Sequence, residues 1–434
     1  MDAASGTMPR PLHRRALSLL AHALPTASLQ NLLAAAYAVA YFTLLVRRGV
    51  VRYSAAADSA RGAKTRRLLA ACARLLTSRF WPNPVFGVHG FVASVTAELL
   101  RPPTPRLAFD REFVPTPDGG TVCLSWAKHR DVPADALPSD APLLFVCPGA
   151  HGDEHSSWYL KSAVNEAVSR RGWRALVYIR RGSFIPYSNG FPQDYADPLK
   201  DDASSDFKLA VRTVTSRFPR APLLGLGYSL GGNYLANYLG SRGLDAEFLA
   251  ASAVGLPFDV TGVSYALEHQ YWLVDWYLRR CKARLVTENR HVIESDARVT
   301  ERGVRVDEIV AASSYRRQCE ADNLRVWGLP GETLNRYLDR SSCINYVPGI
   351  RVPTLFVCAL DDPVSHALFI PYDRVAENPD VVLCTTEQGG HHAYLDANPG
   401  ALPWCDRAAL EWLTQALKLH AARGVVRSSH SRVG

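Results

Sequence analysis

Six short apolar runs recur along the later part of the chain, with glycine or proline at or near their ends. They are LLFVC (143–147), ALVYI (175–179), LLGL (223–226), FLAASAVGL (248–256), TLFVCAL (354–360) and VVLC (381–384). Runs of this length without polar alternation read as strands covered on both faces, which is the habit of a parallel sheet. Helical patterns separate them. Phe207, Ala210, Val211 and Val214 follow i, i+3, i+4, i+7 with Pro219 beyond the end, and Ala409, Trp412, Leu413 and Ala416 repeat the spacing. Such alternation predicts an α/β chain built on a doubly wound, mostly parallel sheet. One interval breaks the rhythm: from Pro257 to Val352 the character is helical with no clear strand. The expectation is a helical lid inserted at 258–345.

Composition narrows the class further. A hydrophobic fraction of 47% and a charged fraction of 21% exclude wholesale disorder. The net charge of +8 is concentrated towards the two ends, at Arg10, Arg14, Arg15, Arg47, Arg48 and Arg52 and again at Arg423, Arg427 and Arg432. There is no zinc-finger spacing, aromatic RNA-binding signature or heptad, so no nucleic-acid partner is expected. The nine cysteines are scattered without a Cys-x-x-Cys pair, which suggests neither a zinc site nor a disulfide framework. They suit a catalytic domain facing a reducing compartment. No cofactor motif is present, and His151 and His155 lack a third ligand at metal-binding spacing.

From Leu24 to Val46 no residue is charged. That length is at the lower limit for crossing a bilayer, and basic residues flank it on both sides. The expectation is a single-pass anchor at 24–46, in the endoplasmic reticulum or another endomembrane; a cleaved or mitochondrial targeting peptide is the alternative. The other expected divisions are a basic tail at 1–23, a basic connector at 47–105, a catalytic domain at 106–420 and a basic tail at 421–434.

The chemistry gathers at three strand ends. LLGLGYSLGG, residues 223–232, places Ser229 between Gly227 and Gly231 where a strand meets a helix. A serine at such an elbow takes a strained backbone, and glycines two residues away on either side avoid it. A hydroxyl needs a neighbouring base to attack at neutral pH. Asp361 and Asp362 follow TLFVCAL, and Gly389, Gly390, His391 and His392 follow VVLCTTEQ, in the order nucleophile, acid, base. Asp362 is preferred over Asp361 as the acid, and His391 over His392 as the base. The backbone amides of Leu230 and Ala150 are the expected oxyanion donors, with Gly149 the lesser choice.

Together, DREFVPTPDGGTVCLSWA, VCPGAHG, YIRRG, GYSLGGNYLANYLG, IRVPTLFVCALDDPV and GGHHAYLD resemble the membrane-anchored alpha/beta-hydrolase-domain lipases. Plant embryogenesis-associated hydrolases and yeast medium-chain ethyl ester synthases are relatives of that family. The resemblance spans roughly residues 80–420. It implies an alpha/beta-hydrolase fold and a serine hydrolase acting on lipid esters at a membrane, with Ser229 as nucleophile and His391 as base. An acyltransferase using the same triad is the alternative, and a non-catalytic membrane scaffold on the same fold a further one. In the insertion, Tyr271, Trp272, Leu273, Trp276 and Tyr277 stand beside Arg279 and Arg280, a mixture suited to a lipid interface or to a lid's own core.

Overall fold

The computed structural model describes residues 29–40, 50–53, 62–100, 104–128, 137–183, 186–200, 204–398 and 401–430. Among the described residues nine strands make one sheet: β1 (Val50–Tyr53), β2 (Phe109–Pro115), β3 (Thr121–Ala127), β4 (Leu143–Cys147), β5 (Arg174–Ile179), β6 (Leu223–Tyr228), β7 (Phe248–Val254), β8 (Thr354–Ala359) and β9 (Val381–Thr386). Their order across the sheet is β1-β9-β8-β7-β6-β4-β5-β3-β2. β4 to β9 run parallel, and all six apolar runs fall on them. The hairpin of β2 and β3 closes one edge and β1 the other, both antiparallel.

The helices used below are α1 (Leu29–Ala40), α2 (Ala63–Leu76), α3 (Gly90–Leu100), α4 (Asp206–Arg217), α5 (Leu230–Arg242), α6 (Val260–His269), α7 (Trp272–Glu288) and α8 (Trp404–His430). Period-two alternation along the strands feeds two separate cores. Leu143, Phe145 and Cys147 face α4 and α5 through Phe207, Val211, Tyr234 and Leu235. Leu144 and Val146 face the other layer, where α2 supplies Leu68, Cys72 and Leu76 and α8 supplies Trp404, Trp412 and Leu413. The helical spacings at 207–214 and 409–416 are thus the buried stripes of α4 and α8. Inside the expected connector, α2 packs onto this sheet and α3 onto Trp158 and Ala393.

Strand order reverses on either side of β4, whose neighbours are β5 and β6. A crevice opens beyond the carboxyl ends of strands at such a switch point. Between β7 and β8 the described chain holds helices and no strand. Val286, Ile293, Val299, Val306, Ile309 and Val326 of this insertion form a separate core, joined by Phe191 from before β6. Trp327 packs against that core, whereas the tryptophans of α7 stay out of it: Trp272 is 66% exposed and Trp276 47%.

α1 has twelve residues and rises about 18 Å, against a hydrocarbon core of about 30 Å. Among the described residues no helix is long and apolar enough to cross a membrane. The single-pass span expected at 24–46 is therefore not supported by the part that is described, and its ends, 24–28 and 41–46, lie outside the described residues.

Candidate active site

β6 ends at Tyr228, and Ser229 turns the chain into α5 with φ 51° and ψ −128°. That left-handed backbone is costly for a residue with a Cβ, by about 1–3 kcal/mol. Its surroundings hold it: the Ser229 amide donates to the Val254 carbonyl at 3.0 Å, and its carbonyl accepts from Gly232 and Asn233. The flanking glycines are required by close approach. A Cβ on Gly227 would lie 2.5 Å from the Gly232 Cα, and one on Gly231 2.2 Å from the Cys147 carbonyl oxygen.

The three strand ends meet at the crevice. His391 Nε2 lies 3.0 Å from Ser229 Oγ, and His391 Nδ1 lies 3.0 and 3.1 Å from the two Asp362 oxygens. A carboxylate only accepts, so Nδ1 carries the ring proton and Nε2 presents its lone pair to the serine hydroxyl. Asp362 is itself fixed, accepting from the amides of Val364 and Ser365 at 2.7 and 2.8 Å. Asp361 points elsewhere, accepting from the Gly390 amide at 2.9 Å. Burial raises its carboxyl to about 6. His392 is buried beside Tyr159 and Tyr228, and desolvation drives its pKa far down, so that ring stays uncharged.

The turn after β4 faces Ser229. The Gly149 amide is taken by the Tyr159 hydroxyl at 2.8 Å, whereas the Ala150 and Leu230 amides donate to no group among the described residues. Arg180 braces the turn, donating to the carbonyls of Pro148 and Gly149 at 3.0 and 2.5 Å. Sequence reading quoted this arginine within YIRRG without giving it a task. It also missed Ser94 of α3, which accepts from the His391 amide at 2.8 Å and donates to the Gly90 carbonyl. α3 sits so close that a Cβ on Gly90 would fall 1.9 Å from the Asp361 carbonyl oxygen.

His151 and His155 do not converge. The His151 ring lies between the Gly182 carbonyl and the Tyr315 hydroxyl, while His155 is exposed, 3.3 Å from Glu154. Above Ser229 opens a cavity of about 1320 Å³. Val260, Val263, Leu267, Val274 and Leu278 of the insertion line it, with Val95 and Leu99 of α3.

A hydroxyl, an imidazole and a carboxylate in line at a strand–helix elbow are the working parts of a serine hydrolase. Residues 141–398 match the Hydrolase_4 family, serine aminopeptidase S33, and the chain belongs to that family. A phospholipase ABHD3 of Mus musculus is 27% identical over 74% of this chain and 76% of its own length. A monoacylglycerol lipase ABHD2 of Danio rerio is 24% identical over 80% of each chain, and the embryogenesis-associated protein EMB8 of Picea glauca 26% identical over 70% and 65%. Among solved structures, a Pyrococcus furiosus esterase aligns with TM-score 0.43 at 14% identity, covering 72% of this chain and 96% of its own.

Proposed function

We propose that this serine hydrolase cleaves carboxylic esters of lipids, acylglycerols or phospholipids with medium to long acyl chains, through an acyl-enzyme on Ser229. The observation that carries the substrate class is the cavity over Ser229, into which the insertion places Val260, Val263, Leu267, Leu273, Val274, Leu278, Leu285 and Leu338. Each methylene buried there favours binding by about 0.8 kcal/mol. The names of the relatives, a phospholipase and a monoacylglycerol lipase, agree with that choice.

In this mechanism His391 Nε2 removes the hydroxyl proton as Ser229 Oγ attacks the ester carbonyl. Asp362 holds the Nδ1 tautomer and stabilises the imidazolium. The developing oxyanion is met by the amides of Ala150 and Leu230 and by the positive end of α5. The imidazolium returns its proton to the departing alcohol, and water then reverses the sequence to release the acid. The insertion between β7 and β8 serves as the lid. Exposed Trp272, Leu273, Trp276 and Tyr277 on α7, with Leu99 and Leu100 on α3, give the lid side an apolar rim. Arg280, stacked on Trp276 at 5.5 Å, adds positive charge for an anionic bilayer. α1 lies at the same membrane.

The test is labelling with a fluorophosphonate followed by a panel of lipid esters. Ser229→Ala should lose the label and lower ester turnover by several orders of magnitude. Turnover in the unchanged protein should rise with acyl length until the cavity is full. Full labelling of Ser229→Ala, or equal turnover of acetyl and long-chain esters, would refute the proposal.

A further inference from the structure

Directly after Ala150, the backbone of His151 is bent into the left-handed region, with φ 56°. A residue with a Cβ keeps that conformation only where its surroundings hold it. Here the ring provides the hold. His151 Nδ1 lies 3.1 Å from the Gly182 carbonyl oxygen, and Nε2 lies 2.9 Å from the Tyr315 hydroxyl. A carbonyl oxygen only accepts, so Nδ1 carries the proton and Nε2 must accept. The Tyr315 O–H therefore points at His151. Its oxygen is left to accept from the Tyr195 hydroxyl, 2.7 Å away.

The direction continues outward. Tyr195 oxygen accepts from the Cys319 thiol at 3.5 Å, and the Lys282 ammonium approaches that sulfur at 3.7 Å. Lys282 is anchored on Asp322 and Asn323 at 2.7 and 2.5 Å. From Cys319 through Tyr195 and Tyr315 each hydroxyl or thiol donates to the next group, the last donation ending on His151 Nε2, and every member is buried. Burial, with the Lys282 charge beside it, brings His151 down to about 3, so the ring stays neutral and the row keeps its direction. His151, Tyr195, Tyr315 and Cys319 all line the cavity over Ser229.

We propose that His151 is a positioning residue for the Ala150 amide, and that Tyr315 of the insertion holds it in place. This rests on the acyl-enzyme reading of Ser229. The turn is then gripped from two sides: Arg180 holds its carbonyls from the sheet, and Tyr315 holds His151 from the insertion. A displaced insertion takes away the partner of His151 Nε2, so the oxyanion site is complete only while the insertion is seated.

Tyr315→Phe and Tyr195→Phe in the full chain test this, with kcat and KM for a short soluble ester, the fluorophosphonate labelling rate and the melting temperature. Losing a whole oxyanion donor costs about 10²–10³ in kcat, so a loosened one should cost about tenfold. Tyr315→Phe is expected to lower kcat and the labelling rate about tenfold while KM stays within about twofold. Tyr195→Phe, which leaves the Tyr315 donor in place, should lower kcat less than about threefold. His151→Asn tolerates the left-handed backbone and can still donate to Gly182, so it should retain more kcat than His151→Ala. A Tyr315→Phe enzyme altered in KM alone, equal losses in both tyrosine variants, or equal losses in both histidine variants would overturn the inference. Ester turnover surviving in Ser229→Ala would instead overturn the acyl-enzyme reading beneath it, a result separate from all of these.

Discussion

Replacing Gly231 by alanine puts a methyl group where two backbone carbonyls already stand. The new Cβ would lie 2.2 Å from the Cys147 oxygen and 2.3 Å from the Pro148 oxygen. Neither is the end of a flexible side chain, so the first turn of α5 and the turn after β4 must part by about 1 Å to restore ordinary contact. Overpacking of this kind costs about 1–3 kcal/mol of stability. The larger effect falls on catalysis, because the two parts being forced apart carry Leu230 and Ala150, the two proposed oxyanion donors. A displacement of 1 Å in a reacting geometry costs about 10²-fold. Gly231→Ala should therefore melt a few degrees lower and lose about a hundredfold in kcat, with KM little changed. Gly225→Ala is the control within the same motif. Its Cβ would meet Leu235 Cδ1 and Cδ2 at 3.0 Å, which are side-chain ends that can give way. Its kcat should stay within about threefold. Steady-state kinetics and thermal melting of the two variants decide the matter. A Gly231→Ala enzyme with unchanged kcat would refute the argument that this contact sets the oxyanion site.

Asp362→Asn should lose ester turnover by orders of magnitude through loss of the His391 tautomer, whereas Asp361→Asn should lose less than about tenfold; the reverse ranking by kcat would exchange their roles. Trp272→Ser combined with Trp276→Ser should lower turnover of vesicle-borne ester about tenfold relative to a monomeric ester, from the loss of two large apolar contacts with lipid. Equal rates for the two substrates in wild type and variant would count against the apolar rim. Burial lifts the Asp406 carboxyl from 3.8 to about 7 where it meets the Tyr228 hydroxyl. The folded state thus holds a proton the unfolded state has released, so this group's contribution is full below pH 3.8 and is lost as pH rises through 7. Asp406→Asn should flatten the fall in stability between about pH 4 and 7, read by urea unfolding, by up to about 1.4 kcal/mol per pH unit.

Much of the sheet was legible because its central strands are buried on both faces, and continuous apolar runs have few other uses. Ser229 and His391 were legible for a related reason: a strand–helix elbow and a glycine pair are local signals. The choice between Asp361 and Asp362 was harder. Two adjacent acids differ only in how the turn after β8 rotates them, and the structure turns one to His391 and the other to the Gly390 amide. Ser94 was out of reach, since its contact with His391 spans 297 residues of chain. Arg180 carried no local signal of its task, because the Pro148 and Gly149 carbonyls it holds lie about thirty residues away in the chain. In the insertion, the helical period of α7 did not distinguish an inward aromatic face from an outward one. The exposure of Trp272 and Trp276 follows from Val286 and Ile293 filling the insertion's core instead.

β1 has a consequence for anyone preparing a shortened protein. It is four residues long, and it pairs antiparallel with β9, the strand whose carboxyl end leads to His391. Without it, β9 would present an unpaired edge of backbone donors and acceptors, on a strand buried throughout in the intact fold. Such an edge is a template on which a second molecule can add its own strand. A truncation that begins at Val50 keeps the seal, and one that begins after Tyr53 strips it. Of the two, the second should form sheet-linked multimers whose growth disorders the loop that holds the histidine. The same few residues that finish the sheet thus also guard the chain against self-association.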